Sequence, residues 1–164
     1  MQLLAVILMA AALMTTNIKL PGGKILKVEV ATEGADIAKA LTGRESLPAD
    51  SGLLLAYRGD VQTQDHLAGY RFSVDILYVD DMKTIINLRE NAVPCRTPDC
   101  GYPSIWPYRY QLQLPAGTVK RLNIHAGDVL SFTVPGEIPA TAAKPATAPA
   151  APSPTKPAIR LTVP

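Results

Sequence analysis

The stretch Tyr70-Arg-Phe-Ser-Val-Asp-Ile-Leu-Tyr-Val-Asp-Asp81 decides the fold, because it is the longest strand-like run in the chain. Side chains on a β-strand alternate between two faces. One face would carry Phe72, Val74, Ile76 and Tyr78, and the other Ser73, Asp75, Leu77 and Val79. Asp75 therefore lies on an apolar face, where an ionised carboxylate needs a partner to offset its lost hydration.

Shorter apolar runs flank this central strand on both sides. Residues 24–31 alternate between polar and apolar from Lys27 onward, which is typical of a half-buried strand. Further strands are predicted at 53–57, 84–88, 108–114 and 129–134. One short helix is predicted near residues 33–42, with Thr32 as its N-cap and Gly43 at its left-handed end. The sequence thus predicts a mainly β (β-rich α+β) domain, with an antiparallel sheet closed into a barrel or sandwich.

The N-terminal segment contains an apolar run of twelve residues at positions 3–14. This length matches the core of a signal peptide and falls short of the roughly 20 residues that span a bilayer as a helix. Residues 1–18 are therefore predicted to be a signal peptide, with small residues for cleavage at 10–12. Because no Lys or Arg precedes the run, a short uncleaved membrane anchor and a cytoplasmic protein with a buried N-terminal helix stay open as alternatives. The expected location is periplasmic or extracellular, or at the membrane through residues 3–14.

Composition divides the remainder of the chain into a body and a tail. Residues 19–134 form the single β-rich domain and carry 13 basic and 13 acidic residues. Residues 135–164 hold eight prolines and eight alanines and are predicted to be a disordered tail. The body shows no basic patch and no aromatic residues interleaved with Lys and Arg. Composition therefore argues against nucleic-acid binding.

Seven short motifs follow one another through the body. They are Val28-Glu-Val-Ala31, Leu41-Thr-Gly-Arg44, Gly52-Leu-Leu-Leu55, Val74-Asp-Ile-Leu77, Glu90-Asn-Ala-Val-Pro94, Leu112-Gln-Leu-Pro-Ala-Gly117 and Ile124-His-Ala-Gly-Asp128. Their order resembles the domain-of-unknown-function family 192 over about residues 25–134. The resemblance implies a small, often exported protein with a compact, mainly β domain, and it implies no activity.

The chain departs from the pattern of that family at two places. Ala40-Leu41-Thr42 stands where the family has Gly-Leu-Met before its arginine. The sequence His-Leu-Ala-Gly-Tyr at 66–70 stands where the family has Trp-Met-Lys-Asn-Thr. A site built from that run in relatives would be lost or altered in this chain.

Arg44 and Asp75 both occupy motif positions and are the candidate site residues. We expect them to form a buried or half-buried ion pair, because the planar guanidinium suits a carboxylate partner. Such a pair would either stabilise the fold or form the site of an enzyme. The pKa of a carboxylate is perturbed in structural ion pairs and in catalytic sites alike.

Cys95 and Cys100 are the only cysteines, and in an exported protein this spacing predicts a disulfide. A zinc site would need two further ligands, and nothing places His66 and His125, the only histidines, near these thiols. The sequence therefore predicts no metal and no cofactor.

Aromatic residues cluster after the second cysteine. Tyr102, Trp106 and Tyr108 are the candidate contact residues for a sugar, a peptide or a partner protein, although packing in the core or in a loop is the commoner explanation of such a cluster. The favoured function is an exported accessory or binding module of the cell envelope, for an unknown envelope protein or small ligand. The alternatives are an enzyme that uses Asp75 and Arg44, and a membrane-complex subunit held by an uncleaved N-terminus.

Overall fold

The structure is a computed structural model that describes residues 13–65, 67–97 and 100–137. The strands are β1 (Met14–Lys19), β2 (Ile25–Ala31), β3 (Ser51–Val61), β4 (Gln64–Asp65), β5 (Val74–Val79), β6 (Ile85–Ala92), β7 (Tyr102–Pro103) and β8 (Tyr108–Pro115). The helices are α1 (Gly34–Lys39) and α2 (Thr118–Leu122). Most of the predicted signal peptide and most of the predicted tail lie outside the described residues.

Six strands form one mixed sheet in the order β1-β2-β3-β8-β5-β6. Adjacent strands of this sheet run antiparallel except for β2 and β3. These two strands run parallel because α1 crosses over between them. The prediction of a mainly β fold is thus confirmed, and the sheet, predicted to be antiparallel, is mixed because of this one pair. Strands β4 and β7 form a separate two-stranded sheet.

The predicted alternation of the central strand is confirmed, and both faces of the sheet are covered. All six residues of β5 are buried. Val74, Ile76 and Tyr78 belong to one apolar cluster, together with Leu41 and Leu67 from the loops that cover this face. The other cluster contains Leu77, Val79, Val119, Ile124, Leu130 and Phe132, among others. Strand β5 is buried on both sides, which explains why its sequence is almost continuously apolar.

A segment near the end of the domain contacts both edge strands of the sheet. We call residues 127–131 the C-terminal brace. The amide of Lys19, at the end of β1, donates to the carbonyl oxygen of Ser131 over 2.9 Å. The amide of Ile85, at the start of β6, donates to the carbonyl oxygen of Asp128 over 2.8 Å. The brace therefore links the two edges at one end, while full closure into a barrel or sandwich stays a prediction.

The helices are short and peripheral. Helix α1 lies within the predicted range of 33–42 and buries none of its residues. Helix α2 was not predicted, and it packs Thr118 and Val119 against the sheet. No helix in the described ranges is long and apolar enough to cross a bilayer. Strand β1 begins at Met14, so the sheet includes residues of the predicted N-terminal segment 1–18.

Candidate functional site

Two neighbouring cavities lie beside α1, and together we call them the α1 cleft. The larger has a volume of about 640 Å³ and is lined by Glu29, Asp36, Lys39 and Arg44, among others. The smaller has a volume of about 280 Å³ and is lined by Tyr57, Asp65, Leu67, Tyr70 and Gln113, among others. Ala40 and Thr42 line both cavities. The cleft therefore has a charged half and a half of mixed apolar and polar character.

The loop after α1 is fixed to the loop before β5, and residues of both loops line the cleft. Leu41 is fully buried, and its amide donates to the hydroxyl oxygen of Tyr70 over 3.2 Å. The hydroxyl of Thr42 donates to the carbonyl oxygen of Ala68 over 3.1 Å. Gly69 has a φ of +77°, and a Cβ there would approach Thr42 to 2.7 Å, so only glycine fits this close approach.

An ion pair lies on the wall of the larger cavity. Nη1 of Arg44 donates to Oε1 of Glu29 over 2.9 Å, and Nη2 donates to Oε2, so the pair is bidentate. The two side chains are 32% and 36% exposed, which leaves them accessible from the cavity. The hydrogen bond from Arg44 lowers the pKa of Glu29 against the opposing effect of burial, and the same bond raises the pKa of Arg44. Both groups are charged at neutral pH.

The predicted ion pair between Arg44 and Asp75 is wrong, because the structure gives each side chain another partner. Asp75 is fully buried on β5. Its Oδ1 accepts the amides of Asn91 (2.9 Å) and Gly117 (3.2 Å), and its Oδ2 accepts the amide of Val119 (2.8 Å). The carboxylate therefore satisfies the backbone at the start of α2 and at the end of β6.

A polar network lies under the smaller cavity. The hydroxyl of Tyr70 donates to Oε1 of Gln113 over 2.7 Å, and burial raises the pKa of Tyr70. Asp65 accepts hydrogen bonds from Tyr78 (3.0 Å) and from Nε2 of Gln111. Both glutamines are buried polar residues of β8. The sequence prediction did not include this network, nor Glu29, although Glu29 lies within the first family-like motif.

A family model described as Uncharacterized ACR, COG1430, matches residues 16–132 of this chain. The chain belongs to this family, DUF192. The DUF192 match begins within β1 and ends just after the brace, so it includes all of the sheet except the first two residues of β1. The family resemblance of the sequence is confirmed, and the function of the family is not established.

Two solved structures share the fold of this DUF192 protein. A proposed transcription regulator from Sinorhizobium meliloti 1021 is 28% identical, with a TM-score of 0.69, and the match covers 75% of this chain and 97% of that one. A protein of unknown function from Novosphingobium aromaticivorans DSM 12444 is 22% identical, with a TM-score of 0.65, and the match covers 73% and 84%. No functionally curated protein matches the chain.

The two departures from the DUF192 pattern both lie at the α1 cleft. Ala40, in place of the family glycine, lines both cavities. Leu67, Ala68 and Tyr70, from the stretch that replaces Trp-Met-Lys-Asn-Thr, line the smaller cavity. His66, in the same stretch, lies outside the described residues. This chain therefore gives its cleft a lining different from that expected in relatives.

The predicted disulfide is present, and the predicted contact aromatics separate into different environments. Cys95 and Cys100 are bonded to each other. Tyr108 is fully buried, with its ring 4.9 Å from that of Tyr78, so it belongs to the core. The hydroxyl of Tyr102 exchanges hydrogen bonds with the backbone of Val93.

Trp106 alone among these three aromatics is largely exposed, at 61%, beside Ile105 at 67%. The backbone around these side chains is held in place. Nε2 of Gln62 donates to the carbonyl oxygens of Ser104 (3.3 Å) and Ile105 (3.1 Å), and the hydroxyl of Ser104 donates to that of Trp106 (2.6 Å). The loop therefore presents two large apolar side chains on an ordered backbone.

No group of three or more metal-ligating side chains occurs within the ranges 13–65, 67–97 and 100–137. His125 is exposed in a turn, where its amide donates to Oδ2 of Asp128 over 2.8 Å. The polar residues that line the α1 cleft are charged and hydrogen-bonding side chains.

Proposed function

We propose that this protein is a binding module of the cell envelope, and that the α1 cleft holds a small polar ligand. The observation that carries the proposal is the bidentate Glu29–Arg44 pair on the wall of a cavity of about 640 Å³. This volume falls within the usual range for small-molecule sites. A partly exposed ion pair contributes little to stability, about 1 kcal/mol or less, so its place in a cavity favours a role in recognition.

The position of Asp75 supports binding rather than catalysis. An enzyme that used Asp75 would need its carboxylate to reach a substrate proton. Instead, the side chain is fully buried and both of its oxygens accept backbone amides. Arg44 lines the cleft, whereas Asp75 does not. The guanidinium of Arg44 is suited to hold an anionic group.

Export to the periplasm or the extracellular space rests on the apolar run at 3–14 and on the disulfide between Cys95 and Cys100. The start of β1 at Met14 is consistent with cleavage after Ala12, because such a cut would leave every described strand intact. The exposed side chains of Ile105 and Trp106 are the surface that we assign to an envelope partner.

The intact mass of protein from the native envelope fraction, measured without reducing agent, tests the location. We expect a mass that lacks the residues before Leu13 and the two hydrogens lost on disulfide formation. A full-length mass would instead favour a subunit of a membrane complex held by residues 3–14. Free thiols would contradict export to an oxidising compartment.

Amide chemical shifts of the isotope-labelled full chain test the binding function. We expect at least one compound in a panel of small polar metabolites to shift the amides of Ala40, Thr42 and Arg44, because these residues line the cleft. The amides of α2 serve as the internal control, since α2 lies on the other face of the sheet. Shifts confined to Ile105 and Trp106, or turnover of a compound during the titration, would contradict the proposal.

A further inference from the structure

The charges on the wall of the larger cavity are balanced, with two acids and two bases. Glu29 and Arg44 are paired with each other. Asp36 and Lys39 are exposed on α1, and within the described part of the chain neither side chain has a hydrogen bond or an ion pair. The cavity therefore offers one carboxylate and one ammonium that are ready for a ligand, and its net charge is zero.

Arg44 adds donors to the same wall. A guanidinium carries five N–H groups, and Glu29 accepts one from each terminal nitrogen. The N–H groups that Glu29 does not accept are available to a ligand. Because Glu29 fixes the plane of the guanidinium, the remaining donors are already oriented, and Glu29 acts as a positioning residue.

We infer that the α1 cleft binds a free α-amino acid, with its carboxylate on Lys39 and Arg44 and its ammonium on Asp36. This inference rests on the proposed binding function and gives the chemical class of its ligand. Residues three apart on a helix place their Cβ atoms about 5–6 Å apart, so Asp36 and Lys39 can reach the two charges that an amino acid carries on one carbon. A zwitterion can contact all of these charged groups at once, whereas a simple anion would contact only Lys39 and Arg44 and a simple cation only Asp36.

Calorimetric titration of the full chain with each standard amino acid tests the inference. The amino acid that binds most tightly is then compared with its N-acetyl derivative, which lacks the ammonium charge, and with its C-terminal amide, which lacks the carboxylate charge. We expect both derivatives to bind about two- to fivefold more weakly than the parent, as for the loss of one exposed ion pair. Failure of every amino acid to bind, or equal binding of a derivative, would overturn the inference.

Variants that each remove one charged side chain show which side chain contacts which charge of the amino acid. Asp36→Asn should weaken binding of the parent and of the C-terminal amide, and it should leave the N-acetyl derivative unaffected. Lys39→Gln should weaken the parent and the N-acetyl derivative, and it should spare the amide. Lys120→Gln is the matched control, because Lys120 is exposed on α2, away from the cleft. An effect of Lys120→Gln as large as that of Lys39→Gln would show nonspecific electrostatics and would overturn the inference.

The outcomes separate this inference from the proposed function. If another metabolite shifts the cleft amides while no amino acid binds, the binding function holds and the ligand class is wrong. If no compound shifts the cleft amides, both are wrong.

Discussion

Ala40 ends α1 in a backbone conformation that favours glycine. Its φ is 40° and its ψ is −119°, outside the regions that residues with a Cβ occupy readily. Glycine, which the family resemblance implies at this position in relatives, would adopt this conformation with less strain. Backbone strain of this kind costs about 1–3 kcal/mol and often occurs at functional sites. At Ala40 it coincides with the wall shared by the two cavities of the α1 cleft.

Ala40→Gly is expected to raise the free energy of unfolding by about 1 kcal/mol, because relief of the strain exceeds the entropy that glycine adds to the unfolded chain. Urea denaturation measures the change. Ala38→Gly is the matched control, since Ala38 lies within α1 and glycine should destabilise a regular helix by about 1 kcal/mol. A decrease in stability on Ala40→Gly would contradict the assignment of strain.

At the scale of elements, Asp75 joins α2 and β6 to the central strand. Its two oxygens accept three backbone amides from residues 16 to 44 positions away. Helix α2 has only five residues, too short to be stable by itself, and no side chain of its own caps its first turn. The carboxylate on β5 therefore supplies the acceptor that this helix needs at its N-terminus.

Asp75→Asn is expected to destabilise the protein by about 2 kcal/mol or more, because an amide group replaces one acceptor oxygen and leaves a buried N–H unpaired. Thermal or urea unfolding measures the loss. Asp128→Asn is the control, since Asp128 is only partly buried and accepts a single amide in a turn. Equal effects of the two substitutions would indicate that the buried position of Asp75 has no special importance.

Elements with local signals were predictable, and elements that depend on distant partners were not. The alternation of β5 and the existence of α1 rest on residues within a few positions of each other, so the sequence carries them directly. The predicted ends of α1 are wrong, because the N-cap is Glu33 rather than Thr32 and the helix ends at Ala40, before Gly43. Helix α2 depends on Asp75, which is 43 residues before Thr118. Its β-branched Thr118 and Val119 also give it a low local helix propensity.

The site was predictable only in part, for the same reason. The sequence showed that Asp75 needed a partner. Its partners are backbone amides, which are not specific to any residue type, so the sequence could not identify them. Arg44 could pair with any nearby acid, and its pairing with Glu29 depends on the strand order that places β2 beside the loop after α1. The α1 cleft draws on β2, α1, β3 and β8, so it becomes visible only once the mixed sheet is known.

At the scale of the molecule, five of the six tyrosines are held protonated by the fold. Burial is the main cause that raises the pKa of Tyr57, Tyr70, Tyr78, Tyr108 and Tyr110 above the ordinary value of 10.0. The unfolded chain therefore loses these protons at lower pH than the folded protein does. The stabilising effect is complete below pH 10.0 and decreases as pH rises above it.

Alkaline titration is expected to show tyrosinate absorbance that appears together with unfolding, rather than gradually around pH 10.0. Near-ultraviolet absorbance and far-ultraviolet circular dichroism, recorded on the same samples, provide the comparison. The urea-unfolded protein is the control, and its tyrosines should ionise near their ordinary pKa. Complete ionisation near pH 10.0 with an intact dichroism spectrum would contradict the buried positions of these rings.

The C-terminal brace makes the integrity of the sheet depend on where translation stops. Within residues 13–65, 67–97 and 100–137, the brace comes after every strand of the sheet and contacts both edge strands. A stop codon within the tail would leave these contacts in place. A stop codon just before Gly127 would release a product that has all its strands and an uncovered end at each edge, and uncovered strand edges pair readily with other chains. The few residues of the brace thus determine whether a truncated chain keeps both edges of the sheet covered at this end.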